Sequence, residues 1–140
     1  IKFASLAGYS ADRLVMYGES LGTGIAVEMA ARHRVAALVL EAPYTDMGAL
    51  AQHHYWYAPS KWLLKDRFAS IERIARNQSP GFIFHGGRDR LIPIRFGRAL
   101  FDAAPAPKEF HGIDDAAHND LYDHGAAKAV LEFLDRRVTR

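Results

Sequence analysis

The fold is decided by residues 13–22, RLVMYGESLG, where a short apolar run leads into a serine between two glycines. The apolar run predicts a buried strand, and the helical spacing of Ile25 and Met29 predicts a helix from Ser20 to about His33. A G-x-S-x-G turn between a strand and a helix lifts the serine above the sheet, and the helix start offers N–H groups to an oxyanion. Because the pentapeptide alone also arises by chance, an incidental tight turn is the alternative interpretation.

The rest of the chain alternates in the same way. Further apolar runs predict strands at 35–40 and 81–86, and a helix is predicted at 94–103. The more polar stretch at 108–113 predicts a fourth strand, at an edge of the sheet. Such alternation indicates a parallel sheet with helices on its faces, and buried parallel strands are continuous apolar runs rather than alternating ones. We therefore predict one α/β domain of about four parallel strands over residues 1–140.

Two segments lie outside this simple pattern. An apolar stripe that includes Val130 and Phe133 predicts a C-terminal helix, with Asn119 or Asp120 as its N-cap. The segment from about 45 to 75 is rich in aromatic and charged residues, which predicts one or two short helices and a loop.

Composition narrows the classes of function. The 140 residues are 49% hydrophobic, carry a formal charge of +2 and contain no cysteine, which excludes disulfides, thiolate catalysis and Cys-based metal sites. The small, scattered basic excess argues against nucleic-acid binding. No apolar run approaches the ~20 residues of a membrane span, and no signal peptide is visible. Because the chain begins with Ile1, we expect missing upstream residues, and we predict a cytoplasmic protein that contacts membranes only if those residues carry an anchor.

A serine hydroxyl needs a neighbouring base to act as a nucleophile at neutral pH, and seven histidines are candidates. His118 is favoured because it lies in a loop after a predicted strand, where a parallel sheet presents catalytic groups. This position alone does not exclude the other six histidines. They are His33, His53, His54, His85, His111 and His124.

The base in turn needs an acid that orients it and stabilises its protonated form. Asp89 directly follows the third predicted strand, although it could also be a turn former or a partner of a neighbouring arginine. Asp46 lies too early in the chain, and Asp102 is predicted to face outward from a helix. The order Ser20, Asp89, His118, with each residue after a different strand, is the order of α/β-hydrolases and of no other common triad. We therefore expect these three side chains to converge at one rim of the sheet.

Four motifs together resemble the Bem46-like branch of the α/β-hydrolase superfamily, which includes abhydrolase-domain serine hydrolases. They are YGESLGTG at 17–24, EAPY at 41–44, HGGRD at 85–89 with the Ile-Pro pair that follows, and AHND at 117–120. The resemblance covers nearly the whole chain and implies a serine nucleophile, an aspartate acid and a histidine base at the positions already named. It implies ester or thioester substrates less directly, because the superfamily hosts many chemistries.

The resemblance also implies parts that this chain lacks. The family's sheet has about eight strands, so we interpret the chain as the C-terminal half of the domain, a partial α/β-hydrolase fold whose front half is missing. Only the N–H of Leu21 can be assigned to the oxyanion hole, because the family's second donor comes from the front half. The strand at 13–18 then has an unpaired apolar edge, which predicts either an oligomer through that edge or an inactive, truncated fragment.

In the family, the insertion at about 45–75 covers the active site as a lid. Tyr44, Trp56 and Tyr57 are therefore candidate walls of an acyl pocket, and Ile92 is a candidate contact beside the acid. The alternative is that these residues pack the core or the loop.

The sequence thus predicts a serine hydrolase that cleaves ester or thioester bonds of a small or lipid-like acyl substrate through an acyl-enzyme. Such acyl transfer to water needs no metal or cofactor. A non-catalytic binding module on the same fold is the alternative, and the intact set of serine, aspartate and histidine argues against it.

Overall fold

The computed structural model describes residues 1–55, 57 and 69–138. A four-stranded parallel sheet lies at the centre of the fold. The strands are Val15–Glu19 (β1), Ala37–Glu41 (β2), Gly81–Gly86 (β3) and Lys108–Ile113 (β4). They lie in the order β1-β2-β3-β4, and each neighbouring pair is parallel. The predicted fold class, four parallel strands with flanking helices, is confirmed.

Helices connect the strands and cover both faces of the sheet. They are Lys2–Leu6 (α1), Gly22–Arg32 (α2), Met47–His54 (α3), Ser70–Arg73 (α4), Ile94–Ala103 (α5) and Ala126–Arg137 (α6), with 3₁₀ turns at Ala11–Arg13 and Ile74–Arg76. In the predicted lid segment, α3 and α4 agree with the expectation of short helices. Residues 56 and 58–68 of that segment lie outside the described part of the chain.

The sheet has a separate apolar core on each face. On one side, Leu38, Leu40 and Ile83 pack with buried residues of α2 and α5. On the other side, Phe82 stacks on Phe133 of α6 with 4.9 Å between ring centroids. Because side chains of a strand alternate between faces, β2 and β3 are buried on both sides, which explains their continuous apolar runs.

The sheet is open at β1. Within the described residues this strand pairs only with β2, and Val15 and Tyr17 are 38% and 42% exposed. Helix α1 buries none of its residues, and its Phe3 and Leu6 side chains face solvent. The unpaired apolar edge predicted from the sequence is therefore present among these residues.

The predicted cap of the C-terminal helix is wrong. Helix α6 begins only at Ala126, and Gly125 occupies the N-cap with φ of 88°, a left-handed conformation that glycine adopts without strain. Asn119 precedes the helix by several residues. The Asp120 carboxylate instead accepts a hydrogen bond from the N–H of Ala117 at 2.6 Å, so it holds the loop around His118.

Candidate active site

The turn between β1 and α2 holds Ser20 in a strained backbone conformation. Its φ is 49°, in the left-handed region that non-glycine residues seldom adopt. The Ser20 N–H donates to the Glu41 carbonyl at 2.9 Å, and the Thr23 hydroxyl donates to the Ser20 carbonyl at 2.6 Å. The turn is thus bound to the end of β2 and to the first turn of α2.

The two glycines of the pentapeptide have different roles. A Cβ on Gly18 would lie 2.7 Å from the Ala26 Cβ and 2.8 Å from the Thr23 Cα, so only glycine allows α2 to approach β1. A Cβ on Gly22 would meet nothing within 4 Å. Close packing therefore requires a glycine at position 18 but not at position 22.

Asp89 lies in the loop after β3, and its carboxylate is held from several directions. Its Oδ1 accepts hydrogen bonds from the backbone N–H groups of Leu91 at 2.9 Å and Ile92 at 2.8 Å. Its Oδ2 lies 2.7 Å from Nδ1 of His118. The side chain is fully buried, so the protein alone fixes its orientation.

His118 lies in the loop after β4 and contacts both other residues. Its Nε2 is 3.1 Å from the Ser20 Oγ, while its Nδ1 faces the Asp89 carboxylate. A carboxylate only accepts hydrogen bonds, so the proton of the neutral ring belongs on Nδ1, and Nε2 is free to accept the serine proton. The structure thus brings together the three side chains that the sequence singles out.

The ionisation of Asp89 results from opposing effects. Burial would raise the pKa of this carboxyl, but hydrogen bonds from His85, His118 and the Ile92 N–H outweigh it and hold the pKa below its ordinary value. The aspartate is therefore a carboxylate at neutral pH, as an imidazolium partner requires.

A second buried carboxylate, Glu41, lies at the end of β2. It accepts a hydrogen bond from the Tyr17 hydroxyl, which is 2.6 Å from the Tyr122 hydroxyl. Because the one proton of Tyr17 goes to Glu41, Tyr122 is the donor to Tyr17. Burial and the nearby charge of Glu19 raise the pKa of Glu41, against the effects of Tyr17 and His118.

Sequence reasoning assigned this glutamate no role. The available signal was an acidic residue at the end of the apolar run VAALVLE, a position that is buried in a parallel sheet. Its hydroxyl partners could not be found from the sequence, because Tyr122 is far away along the chain.

In the part of the chain that the structure describes, none of the other candidate bases is hydrogen-bonded to the Ser20 hydroxyl. His53 contacts Arg95 at 2.8 Å, and His54 is hydrogen-bonded to the Leu91 carbonyl at 2.7 Å. His85 is buried beneath α5. Of the rest, His33 ends α2, His111 lies in β4, and His124 lies in a turn before α6 rather than inside that helix as predicted.

The rival acids have structural positions of their own. Asp46 caps α3 by accepting from the Ala49 N–H at 2.8 Å. Asp102 is exposed on α5, as predicted. Neither carboxylate is paired with His118 in the described part of the chain.

The candidate pocket residues separate into two groups. Tyr44 and Ile92 are each 1% exposed and share a core cluster with Leu50 of α3, so their positions agree with the packing alternative. Tyr57 is exposed, whereas Trp56 lies outside the described residues.

Leu21, the candidate oxyanion residue, is the N-cap of α2. Backbone N–H groups at a helix start have no intrahelical acceptor.

An open cleft of about 490 Å³ lies beside His118. Its walls come from the two loops that carry the acid and the base, and they include Arg88, Arg90, Leu91 and Asn119. Arg88 is paired with Asp115. Among the described residues no group of three or more histidines and carboxylates is placed to hold a metal ion, and none of the helices there is long and apolar enough to cross a membrane.

Comparisons with known proteins agree with this architecture. No family model matches the chain. It is 38% identical over 129 residues to Rv2307c, an uncharacterised protein of Mycobacterium tuberculosis. The aligned residues cover 91% of this chain and 45% of that protein. It is also 33% identical over 133 residues to human alpha/beta hydrolase domain-containing protein 17B, and the aligned residues cover 95% of this chain and 44% of the human protein. The chain thus spans less than half the length of these relatives.

Solved structures show the same fold. The esterase domain of a Rhodothermus marinus protein superposes with a TM-score of 0.72 at 25% identity, over 97% of this chain and 64% of the other. A puromycin-hydrolysing peptidase of Mycobacterium tuberculosis superposes with a TM-score of 0.78 at 13% identity, over 98% and 24%. The chain shares its sheet topology with solved α/β-hydrolases, and its sequence is similar to that of an alpha/beta hydrolase domain-containing protein. It therefore belongs to the abhydrolase-domain proteins of the α/β-hydrolase superfamily.

Proposed function

We propose that the full-length protein carrying this chain is a serine hydrolase, which transfers the acyl group of a carboxylic ester or thioester to water. The single observation that carries the proposal is the hydrogen-bonded path from Ser20 Oγ through His118 to Asp89. Because the chain spans less than half of its relatives, we propose the activity for the whole protein and expect the 140 residues alone to be inactive.

The geometry supports a two-step reaction. In the first step, His118 Nε2 takes the proton of Ser20 as Oγ attacks the carbonyl carbon, and it then gives that proton to the leaving alcohol or thiol. In the second step, a water molecule gives its proton to His118 and attacks the acyl-serine. The acid product leaves and Ser20 recovers its proton. Asp89 remains ionised throughout and stabilises the imidazolium, in line with its lowered pKa.

The oxyanion of each tetrahedral intermediate needs N–H donors. We assign one to the Leu21 N–H, because Leu21 directly follows Ser20 and is the N-cap of α2, where N–H groups lack intrahelical acceptors. One such donor is worth about 10²–10³ in rate. We expect the second donor to come from another part of the full-length protein.

Two observations support the proposed substrate class, one from the site and one from a solved structure. The cleft beside His118 is open and combines an apolar wall at Leu91 with polar groups, which suits an acyl compound with a polar leaving group. The Rhodothermus marinus structure is named an esterase domain, which supports an ester as the bond that is cleaved. Thioesters undergo the same attack, with a thiol in place of the alcohol.

Labelling by a fluorophosphonate tests the nucleophile. We expect the full-length protein to be labelled at Ser20 and to hydrolyse a p-nitrophenyl ester, because a base-activated serine reacts with both compounds. Ser20→Ala should lose both properties. Ser10→Ala, at an exposed serine outside the site, is the matched control and should keep them.

Equal labelling of wild type and Ser20→Ala would reject the assignment of the nucleophile. A protein that is labelled at Ser20 but turns over neither esters nor thioesters would instead favour a binding module on the hydrolase fold.

A further inference from the structure

His85 is a buried, ionisable side chain that the proposed reaction does not use. It lies in the last part of β3, its exposed area is zero, and α5 packs on it. Its Nδ1 is the buried side-chain nitrogen that lacks a hydrogen-bond partner in the part of the chain that the structure describes. A buried polar group costs free energy unless its contacts compensate for it, so the other ring nitrogen is of interest.

The Nε2 of His85 faces the loop that holds Asp89. It is 2.7 Å from the Ile92 carbonyl and 3.4 Å from Oδ2 of Asp89. Both of these oxygens only accept, so the ring must carry its proton on Nε2 and donate it to them. His85 therefore contacts the same carboxylate oxygen as His118.

Ile92 closes a ring of contacts around the acid. Its N–H donates to Oδ1 of Asp89, and its carbonyl accepts from His85. The peptide groups around this residue, and with them the donors to Oδ1, are thus held by the histidine. The carboxylate can turn away from His118 only if this ring of contacts opens.

Helix α5 holds the imidazole in place from the other side. A Cβ on Gly97 would come within 2.4 Å of the His85 Nδ1 and 3.2 Å of its Cε1. The glycine therefore lets the helix lie directly against the ring. Together, α5 and the Asp89 loop leave the imidazole one orientation.

We propose that His85 is a positioning residue, which donates from Nε2 to the Ile92 carbonyl and toward Asp89 and so keeps the carboxylate aligned with His118. This inference rests on the proposed function, because it assigns His85 a role through Asp89. His85 does not touch the reacting atoms itself.

Two substitutions in the full-length protein test the role of the donor. His85→Leu removes the donor at similar volume, whereas His85→Gln places an amide N–H near the position of Nε2. We expect His85→Leu to lower kcat about 10- to 100-fold with little change in KM, because a small misalignment of a catalytic group has effects of this size. The acidic limb of the kcat/KM profile should also move to lower pH, because a misaligned carboxylate stabilises the His118 imidazolium less. His85→Gln should recover most of both changes.

A purely structural role would give a different result. In that case His85→Leu would lower the melting temperature, while kcat and the pH profile of its folded fraction would equal those of wild type, and the inference would be overturned. The same holds if His85→Gln is no better than His85→Leu.

Gly97→Ala provides a second route in case His85→Leu does not fold. Its Cβ pushes on the ring without removing a polar group, so we expect the same direction of change in kcat and in the acidic limb. Gly112→Ala is the matched control, since its Cβ would find its nearest neighbour at 3.6 Å, an ordinary contact. Wild-type kinetics in Gly97→Ala would contradict the proposal.

Failure of this inference is distinguishable from failure of the proposed function. If wild type is labelled at Ser20 and Ser20→Ala is inactive, normal kinetics of the His85 variants overturn only the positioning role. If wild type itself is neither labelled nor active, the proposed function has failed.

Discussion

Asp89 and Glu41 are two carboxylates that are buried to the same extent, each 5% exposed, yet the protein shifts them in opposite directions. The pKa of Asp89 is lowered despite the effect of burial, whereas burial raises the pKa of Glu41. The difference lies in the donors. Asp89 accepts from two backbone N–H groups and from His118, while Glu41 accepts from the Tyr17 hydroxyl. The number and kind of donors, more than burial, decide whether a carboxylate stays ionised.

The backbone explains why the donors differ. Asp89 lies in a loop whose next residues turn back, so that the N–H groups of Leu91 and Ile92 point at its side chain. Glu41 lies within β2, where its carbonyl accepts from the Ser20 N–H as part of the contact between strands β1 and β2. The backbone groups beside a strand residue are used by the sheet, and they are not available to its own carboxylate.

Removing the charge of each carboxylate in turn should give the largest difference between them, and the difference is expected in kcat. Asp89→Asn should lower kcat on the order of 10⁴-fold, because an amide favours the wrong tautomer of the catalytic histidine. Glu41→Gln should change kcat by less than about tenfold, because within the described residues the Glu41 side chain makes no hydrogen bond to the side chains of His118 or Ser20. Steady-state hydrolysis of a p-nitrophenyl ester by the full-length protein measures both. Similar losses in the two variants would contradict the division of roles.

A smaller effect should follow from moving the turn to which the Glu41 carbonyl is bonded. Gly18→Ala should lower the free energy of unfolding by about 1–3 kcal/mol, because its Cβ overlaps Ala26 and Thr23. Gly22→Ala is the matched control and should stay within about 1 kcal/mol of wild type, because its Cβ meets open space. Urea denaturation compares the two, and equal destabilisation would show that the close approach of α2 to β1 is not what Gly18 provides.

Acid unfolding should reveal the lowered pKa of Asp89. The unfolded carboxyl takes up its proton near 3.8, and the folded one does so only at lower pH, so the stabilisation by this group is present above that value. It is lost as the pH falls through the folded pKa. The free energy of unfolding of wild type should therefore fall toward that of Asp89→Asn in strong acid. A constant difference between the two proteins at every pH would contradict the shift.

The smallest effect should come from Glu41, with the opposite sign. Its pKa is raised above 4.5, so its contribution to stability is complete below that value and is lost as the pH rises through the folded pKa. Glu41→Gln should then gain stability relative to wild type as the pH rises toward neutrality. Denaturant titration across that pH range measures the gap, which is the difference in free energy of unfolding between Glu41→Gln and wild type.

The exposed neighbour Glu19 offers a control for this last prediction. Its charge contributes to the raised pKa of Glu41, so Glu19→Gln should narrow the gap between wild type and Glu41→Gln. A gap that closes as the pH rises would mean that the pKa of Glu41 is lowered, in contradiction to the comparison with Asp89.

Much of the fold could be predicted because its signals are local. The strands β3 and β4 and the helix α5 have the predicted bounds, and β1 and β2 differ from the prediction by one or two residues at their ends. The start of α6 could not be predicted, since Asn119 and Asp120 satisfy the local rule for a cap. Asp120 is instead used by the loop around His118, a contact that the spacing of polar residues does not reveal.

By itself, the sequence determined the alternation of strands and helices and the order of Ser20, Asp89 and His118, because these depend on neighbours along the chain. Only the tertiary structure decided that Glu41 receives its proton donor from Tyr17, that Tyr122 supports that pair, and that His85 faces Asp89. Those contacts join different strands, loops and helices, and their geometry depends on sheet register and helix packing, which no local pattern encodes.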